Sequence, residues 1–363
     1  MKNKITFLIC IIFIAIVLKL LTLSPKFIEN FYSRKAYKVI SGSIGKVTSN
    51  FSFSIAEILL FIFIILILLF FVLSIKKIIF GQEKLKLIFN FLYVVVCIAI
   101  IIYIVFMSVW GLNYYRFPLI NNYQNYFFEN NNITDEESYN KLYSLAELLI
   151  KDLNDLQTKI KYETSINTNY QALNRMVESE YNKVFEEFPY LEMYYSRTKP
   201  IKISKLFLRL QITGIYSPFT SEANVNTLIP YTSMPYTIAH EMAHKIGIAY
   251  EDEANFIAYL ACSKHSDLFI QYSGAFEALL YVLSELNRDE NYAMLISNLN
   301  EKTKEEIRYN YEFWNQYRGQ LSNISHKVND TYLKANNQIH GIKSYSRVVK
   351  LLIYYNMSKG FLQ

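Results

Sequence analysis

The sequence predicts an α+β protein, mainly α, with three membrane-spanning helices at its front and a helical domain with a small sheet behind them. Three observations carry this. Of 363 residues 52% are apolar, and the excess crowds into three runs near the amino terminus. Beyond residue 113 the apolar positions recur at helical spacing, and only one later stretch, residues 224–229, has the texture of a strand.

The runs at 5–23, 55–75 and 88–110 each approach the roughly 20 residues an α-helix needs to cross a hydrocarbon core. Lys2 and Lys4 give the first run the start of a signal peptide, but no small-residue cleavage site follows and Lys19 leads into LLTLSPKF, which fits an uncleaved anchor. Lys19 and Glu57 sit near span ends, where charged heads can reach the interface, and neither requires a transport role. Lys76, Lys77, Lys84 and Lys86 crowd the short loop between the second and third runs, and with Lys2 and Lys4 they oppose Lys26, Arg34, Lys35, Lys38 and Lys46. Loop density therefore orients the amino terminus inwards and everything after Trp110 outwards. The expected division is a membrane domain, 1–112, and a soluble domain, 113–363. Residues 1–112 hold 12 Lys/Arg and 3 Asp/Glu, leaving 25 and 28 for the rest, so the overall +6 flanks the membrane and is not a nucleic-acid footprint. Cys10 and Cys97 lie in spans and Cys262 stands alone, so no disulfide can form within the soluble part.

In the soluble part, Thr134-x-x-Glu137 is a capping-box signature following the polar segment ENNNIT at 129–134. Leu142, Leu145, Leu149, Leu153 and Leu156 then form one buried helical stripe. A further helix fits about 170–188, stopping before Pro189, with others at about 266–286, 301–322, 325–338 and 344–356. Residues 214–230, GIYSPFTSEANVNTLIP, begin with turn formers and continue into the strand candidate, which is either an edge for pairing with an extended peptide or a buried structural strand. The 31 tyrosines fit amphipathic packing at the edges of a core.

The chemistry concentrates in HEMAHKIGIAYEDEANFIAY, residues 240–259. His240 and His244 are four apart, so a helix puts both imidazoles on one face, where they can grip one metal ion, while Glu241 on the neighbouring face can act as a general base. Pro235 supports a helix start and Gly247 a stop. A hydrolytic zinc site wants a third protein ligand and one open position. After a reversal at Gly247, a second helix from about Glu251 to Cys262 can return Glu251 to the metal, with Asn255 one turn on to support a ligand. Glu253 competes with Glu251 for that position, because the EDE triplet allows a shift of two residues.

WGLNYYRFP at 110–118, GIYSPFTSEANVN, HEMAHKIGIAYEDEANFIAYLAC and NDTYLKANNQIHGIKSYSRVV resemble the bacterial membrane family called domain of unknown function 3810, over nearly the whole chain. That family is only predicted to be zinc-dependent peptidases, so the resemblance implies architecture more than activity. A more distant likeness is to gluzincin-type metallopeptidases, including the membrane-bound CAAX-processing and heat-shock proteases. They pair HExxH with ExxAD or ExxxD on a following helix. This likeness implies a zincin-like domain, Glu251 as third ligand and Asn255 in place of the second-layer Asp. The chain departs from that pattern in having Asn for Asp and a short connection from His244 to Glu251. Gly247 sits where metzincins have a glycine, but Tyr250 occupies the place of their third ligand.

The expected function is a multi-pass, membrane-anchored metallopeptidase of the bacterial cell membrane, with its soluble domain extracytoplasmic, one Zn2+ per chain, and the bilayer and a peptide or protein substrate as partners. Glu241 is its base, and Tyr345 and His340 are candidate oxyanion donors. The alternative is a membrane-anchored sensor or binding protein whose zinc is structural, closed by Cys262 or His265. Cutting within the membrane fits poorly with Lys245 directly after the motif.

Overall fold

A computed structural model describes residues 2–123, 135–160, 169–286, 291–338 and 345–362, with the backbone alone for 2, 135, 136, 138, 345 and 346. The chain divides into two units, Met1–Arg116 with Ser217–Glu222, and Phe117–Tyr216 with Ala223–Gln363. The segment Ser217–Glu222 thus groups with the first unit, although sequence alone assigns it to the second.

In the first unit, α1 (Lys2–Leu21), α3 (Ile55–Phe80) and α4 (Lys84–Val109) are long and apolar enough to cross a membrane. Both α1 and α3 pack on α4. Helices α3 and α4 take in lysines left outside the expected spans, since lysine is a good helix former whose stem can lie along apolar surface. Gly81, extended, and Glu83, with φ 54°, turn the chain sharply between them. Between α1 and α3 the sequence reading foresaw no structure, yet a π-helix, Ile28–Ala36, runs into α2 (Tyr37–Thr48). Its Glu29 is buried and held by Arg116, through Nε at 3.1 Å and Nη2 at 3.2 Å, and by Arg34 Nε at 2.7 Å. Ser33 donates to Asn113 Oδ1 at 2.8 Å, so the polar residues of the WGLNYYR segment serve this unit. Within Ser217–Glu222, Ser221 Oγ lies 2.6 Å from Ser41 Oγ, and the Glu222 carboxylate accepts from the amides of Ile55 and Ala56 at 3.2 and 2.7 Å. A carboxylate there satisfies free N–H groups at the positive end of the helix dipole.

The second unit is built on α5 (Asp135–Lys159), α6 (Tyr170–Glu180), α7 (Met234–Lys245), α8 (Glu251–Ser263), α9 (Leu268–Leu286), α10 (Glu301–Asn315), α11 (Gln320–Ala335) and α12 (Tyr345–Ser358). The leucine stripe of α5 is sealed, with Leu145, Leu149 and Leu153 at 0% exposure, and α5 lies against α9. Helix α8 packs between α7 and α9, so the site helix and its successor are clamped by the core. The segment ENNNIT and Thr134 of the capping box lie outside the described residues.

Three expectations are corrected. The helix over 170–188 breaks after Glu180 into a 3-10 turn, Tyr181–Lys183, where buried Tyr181 donates to the Ala239 carbonyl at 3.1 Å. The break after α10 comes at Asn315 instead of residue 322, because Gly319 starts α11, its amide donating to Ser322 Oγ at 3.0 Å. The strand expected over 224–229 is β3 (Glu222–Val225). It ends at Asn226, whose side chain takes the Leu228 amide at 3.1 Å and donates to the carbonyls of Ser204 and Ile212. Nor is it an edge. The sheet order is β1 (Lys199–Pro200), β3, β2 (Gly214–Ser217), with β1 parallel to β3 and Lys199 opposite Asn224. The exposed edge is β2, the GIYS segment that sequence texture had assigned to a turn.

Candidate metal centre

Helix α7 has Pro235 in its first turn, and the Tyr236 amide is satisfied by Ser273 Oγ at 3.1 Å. Its end is set by Gly247, whose φ of 93° falls in the left-handed region that glycine tolerates. The Gly247 amide reaches the His244 carbonyl at 2.9 Å and the Ile248 amide the Ala243 carbonyl at 3.2 Å. This reversal has a chemical consequence. The Ile248 carbonyl lies 2.7 Å from His244 Nδ1, and a carbonyl only accepts, so Nδ1 carries the proton and Nε2 faces the site.

After three residues α8 begins, with Glu251, Asp252 and Glu253 in its first turn, where the helix dipole favours negative charge. Their fates differ. Glu251 turns to the histidines, Oε2 lying 3.3 Å from His240 Nε2 and Oε1 3.6 Å from His244 Nε2; the two Nε2 atoms are 3.1 Å apart. Asp252 is buried and paired with Arg347 Nε at 3.0 Å. Glu253 is buried and accepts from the Leu119 amide at 2.6 Å. It stays out of the cluster, so of the two carboxylates left open by spacing, geometry brings Glu251 to the histidines.

The donor set fits a single zinc-sized ion. With metal–ligand distances of about 2.0–2.1 Å, neighbouring corners of a tetrahedron are roughly 3.3 Å apart; the two Nε2 atoms are close to that spacing at 3.1 Å, and with one donor atom from each residue the three lie within 4.8 Å of one another. Two imidazoles and one carboxylate suit zinc better than calcium or magnesium, which prefer oxygen alone. The electrostatics agree. Burial alone would lower His244, but the Glu251 carboxylate outweighs it and holds the imidazole up at about 9. Burial would raise Glu251, yet His244 and His240 keep it well below the usual carboxylate range. His240 is lowered by burial, opposed by its hydrogen bonds to the Glu251 and Asn255 oxygens, which puts Asn255 at the first histidine; His240 Nδ1 itself reaches no partner at full hydrogen-bond geometry.

Glu241 is 3% exposed, and burial pushes it up to about 8. Its Oε2 has no hydrogen-bond partner. A desolvated carboxylate beside a cation site is what a proton acceptor needs. The ligand candidates are less deeply buried: the Glu251 and His240 side chains are 30% and 14% exposed. Lys245, next to the motif, is fully buried and donates to Ser196 Oγ at 2.5 Å, so its charge is spent inside the domain.

Cys262 is buried in the core, and His265 binds the Met176 carbonyl through Nε2 at 2.9 Å and the Asp267 amide through Nδ1 at 2.9 Å. Neither joins His240, His244 and Glu251, the metal-capable group among the described residues. His340 and the Tyr345 side chain lie outside the described residues. Sequence reading missed strand β2, which covers α7: Gly214 abuts Glu241, and the Tyr216 ring lies 6.5 Å from that of His244. The available signal was the alternation of GIYS, masked by the proline and serines after it.

Neither a curated protein nor a solved structure matches the chain. The family described as "Protein of unknown function (DUF3810)" matches residues 32–353, nearly the whole chain from the π-helix to α12, and the protein belongs to that family.

Proposed function

We propose that the protein is a membrane-anchored, zinc-dependent peptidase with a zincin-like, gluzincin-type domain on the extracytoplasmic side of a bacterial cell membrane. The observation that carries this is the meeting of His240, His244 and Glu251 beside a buried, unpaired Glu241. A purely structural site has no use for that glutamate and would close its fourth corner with protein, for which Cys262 and His265 are engaged elsewhere.

His240, His244 and Glu251 would hold the ion, and His244 is pre-oriented by the Ile248 carbonyl. Bound zinc supplies Lewis acidity, bringing the pKa of water down to about 7. Glu241 takes the proton from water as the oxygen attacks the peptide carbonyl carbon, then delivers it to the departing nitrogen as the C–N bond breaks. Its burial keeps competing solvent away. The exposed edge of β2, running past Glu241, is where an extended substrate can pair by backbone hydrogen bonds.

The test uses the full chain in detergent micelles. Metal analysis is expected to find one zinc per chain, and Glu241→Gln to keep that zinc while hydrolysis of a quenched fluorescent peptide library falls by at least about 10²-fold. Zinc retained with no cleavage of any peptide by the wild type would favour a structural zinc site instead.

A further inference from the structure

We infer that Gly214 is a positioning residue for Glu241: the bare backbone of β2 is the wall against which the general-base carboxylate is set, and any side chain there displaces it. This rests on the peptidase reading and adds to it a residue outside the HExxH helix.

A Cβ built on Gly214 would lie 2.4 Å from Glu241 Oε1, 2.6 Å from its Cγ and 2.7 Å from its Cδ. Those distances are well inside van der Waals contact, and three atoms of one side chain are involved. Glu241 has little room to retreat, being 3% exposed on a helix clamped against α8 and α9. Nor is glycine required here by its backbone: Gly214 is not among the positive-φ residues, so an alanine could adopt its conformation. What glycine provides is space. Strand alternation fixes the arrangement, since residues two apart share a face: Gly214 meets Glu241, Tyr216 lies by His244, and Ile215 points away at 47% exposure. A slip of one residue would press an isoleucine onto the base. The strand is held in place by the Asn226 amide on the Thr213 carbonyl at 2.8 Å and by Asn224 Nδ2 on the Ile215 carbonyl at 3.3 Å.

The experiment is a double-mutant cycle on the full chain, read twice. In thermal melts of the metal-free protein, Gly214→Ala should lower Tm by roughly 2–4 °C or more, and should cost little or nothing in a Glu241→Ala background, where the clash is gone. In the zinc-loaded protein, with a quenched fluorescent peptide as probe, Gly214→Ala should keep its zinc while kcat falls by about 10²-fold or more. Shortening the displaced arm should partly restore it: Glu241→Asp is expected to impair the wild type yet improve Gly214→Ala. If Gly214→Ala alone fails to fold while the pair with Glu241→Ala folds, the inference stands; if neither folds, it falls. Equal Tm losses in both backgrounds, a wild-type kcat in Gly214→Ala, or loss of zinc from it would each overturn it. Should no peptide be cleaved even by the wild type, the peptidase reading fails, and the melts still decide whether Gly214 sets Glu241.

Discussion

Helices α3 and α7 are built in opposite ways. Not one residue of α3 is buried, and it turns side chains such as Ile65 and Leu68 outward at 62% and 60% exposure. In α7 every residue except His240 is buried, among them Glu241, His244 and Lys245. Each inverts the usual rule of apolar inside and polar outside. Helix α3 is long and apolar enough to cross a membrane, and a hydrocarbon surround in place of water would relieve its inversion. In α7 it is relieved group by group: Lys245 by Ser196, His244 by the Ile248 carbonyl and Glu251, and Glu241 by the charge of His244 alone, its Oε2 accepting no hydrogen bond. Apolar exposure thus marks the helix fit to cross a membrane, and polar burial marks the helix that carries the proposed metal centre.

The sharpest way to break this contrast is to remove the carboxylate that relieves the histidines. Glu251→Ala should weaken zinc binding on the order of 10³-fold, about a third of a binding free energy of roughly 10–16 kcal/mol, measured by competition with a chelator. Glu253→Ala, two residues on, should leave zinc affinity intact and cost about 1–3 kcal/mol of stability, since the Leu119 amide loses its acceptor. The reverse pattern would make Glu253 the ligand.

On the lipid side, Leu68→Arg near the middle of α3 should make insertion of that span about 3–4 kcal/mol less favourable. A glycosylation-based insertion assay reads this, and unchanged insertion would deny that α3 spans. The smallest effect expected concerns Glu277 on α9. Burial raises it to about 7, against a hydrogen bond from Ser233 that lowers it. Between about pH 4.5 and 7 the folded chain holds this proton and the unfolded chain does not, so the stability it lends is complete below about 4.5 and lost as pH rises through 7. Glu277→Gln should flatten the fall in stability between pH 5 and 8 by on the order of 2 kcal/mol, seen as pH-dependent melts of wild type and variant. Identical slopes would mean that Glu277 ionises freely in the fold.

Much of the architecture was legible in the chain because it rests on local regularities. Runs of about 20 apolar residues read as helices long enough to cross a hydrocarbon core, and leucines at spacings of three and four make a stripe whatever they pack against. The pairing of His240 with His244 follows from helix geometry alone, and Gly247 announces the turn that lets His244 and Glu251 meet. What pattern could not supply involves partners far away in sequence. The start of the hairpin at Gly214 resembles a turn because its strand is only four residues long, and its identity depends on β3 lying beside it. The gap at Gly319 competes with a helical pattern that runs across it.

The site divides along the same line. Sequence by itself determined that His240 and His244 would share one face of a helix with Glu241 beside them and that an acidic cluster would follow, because spacing of 3.6 residues per turn needs no tertiary contact. Tertiary structure alone decided which of three consecutive acids turns inward to the histidines. Leu119 draws away Glu253, Arg347 claims Asp252, and only Glu251 is left facing the imidazoles. It also decided that a glycine 27 positions upstream of the base in the numbering would lie against it. Side-chain direction at a helix start and contact between distant segments are set by how elements pack, and packing is a property of the folded whole.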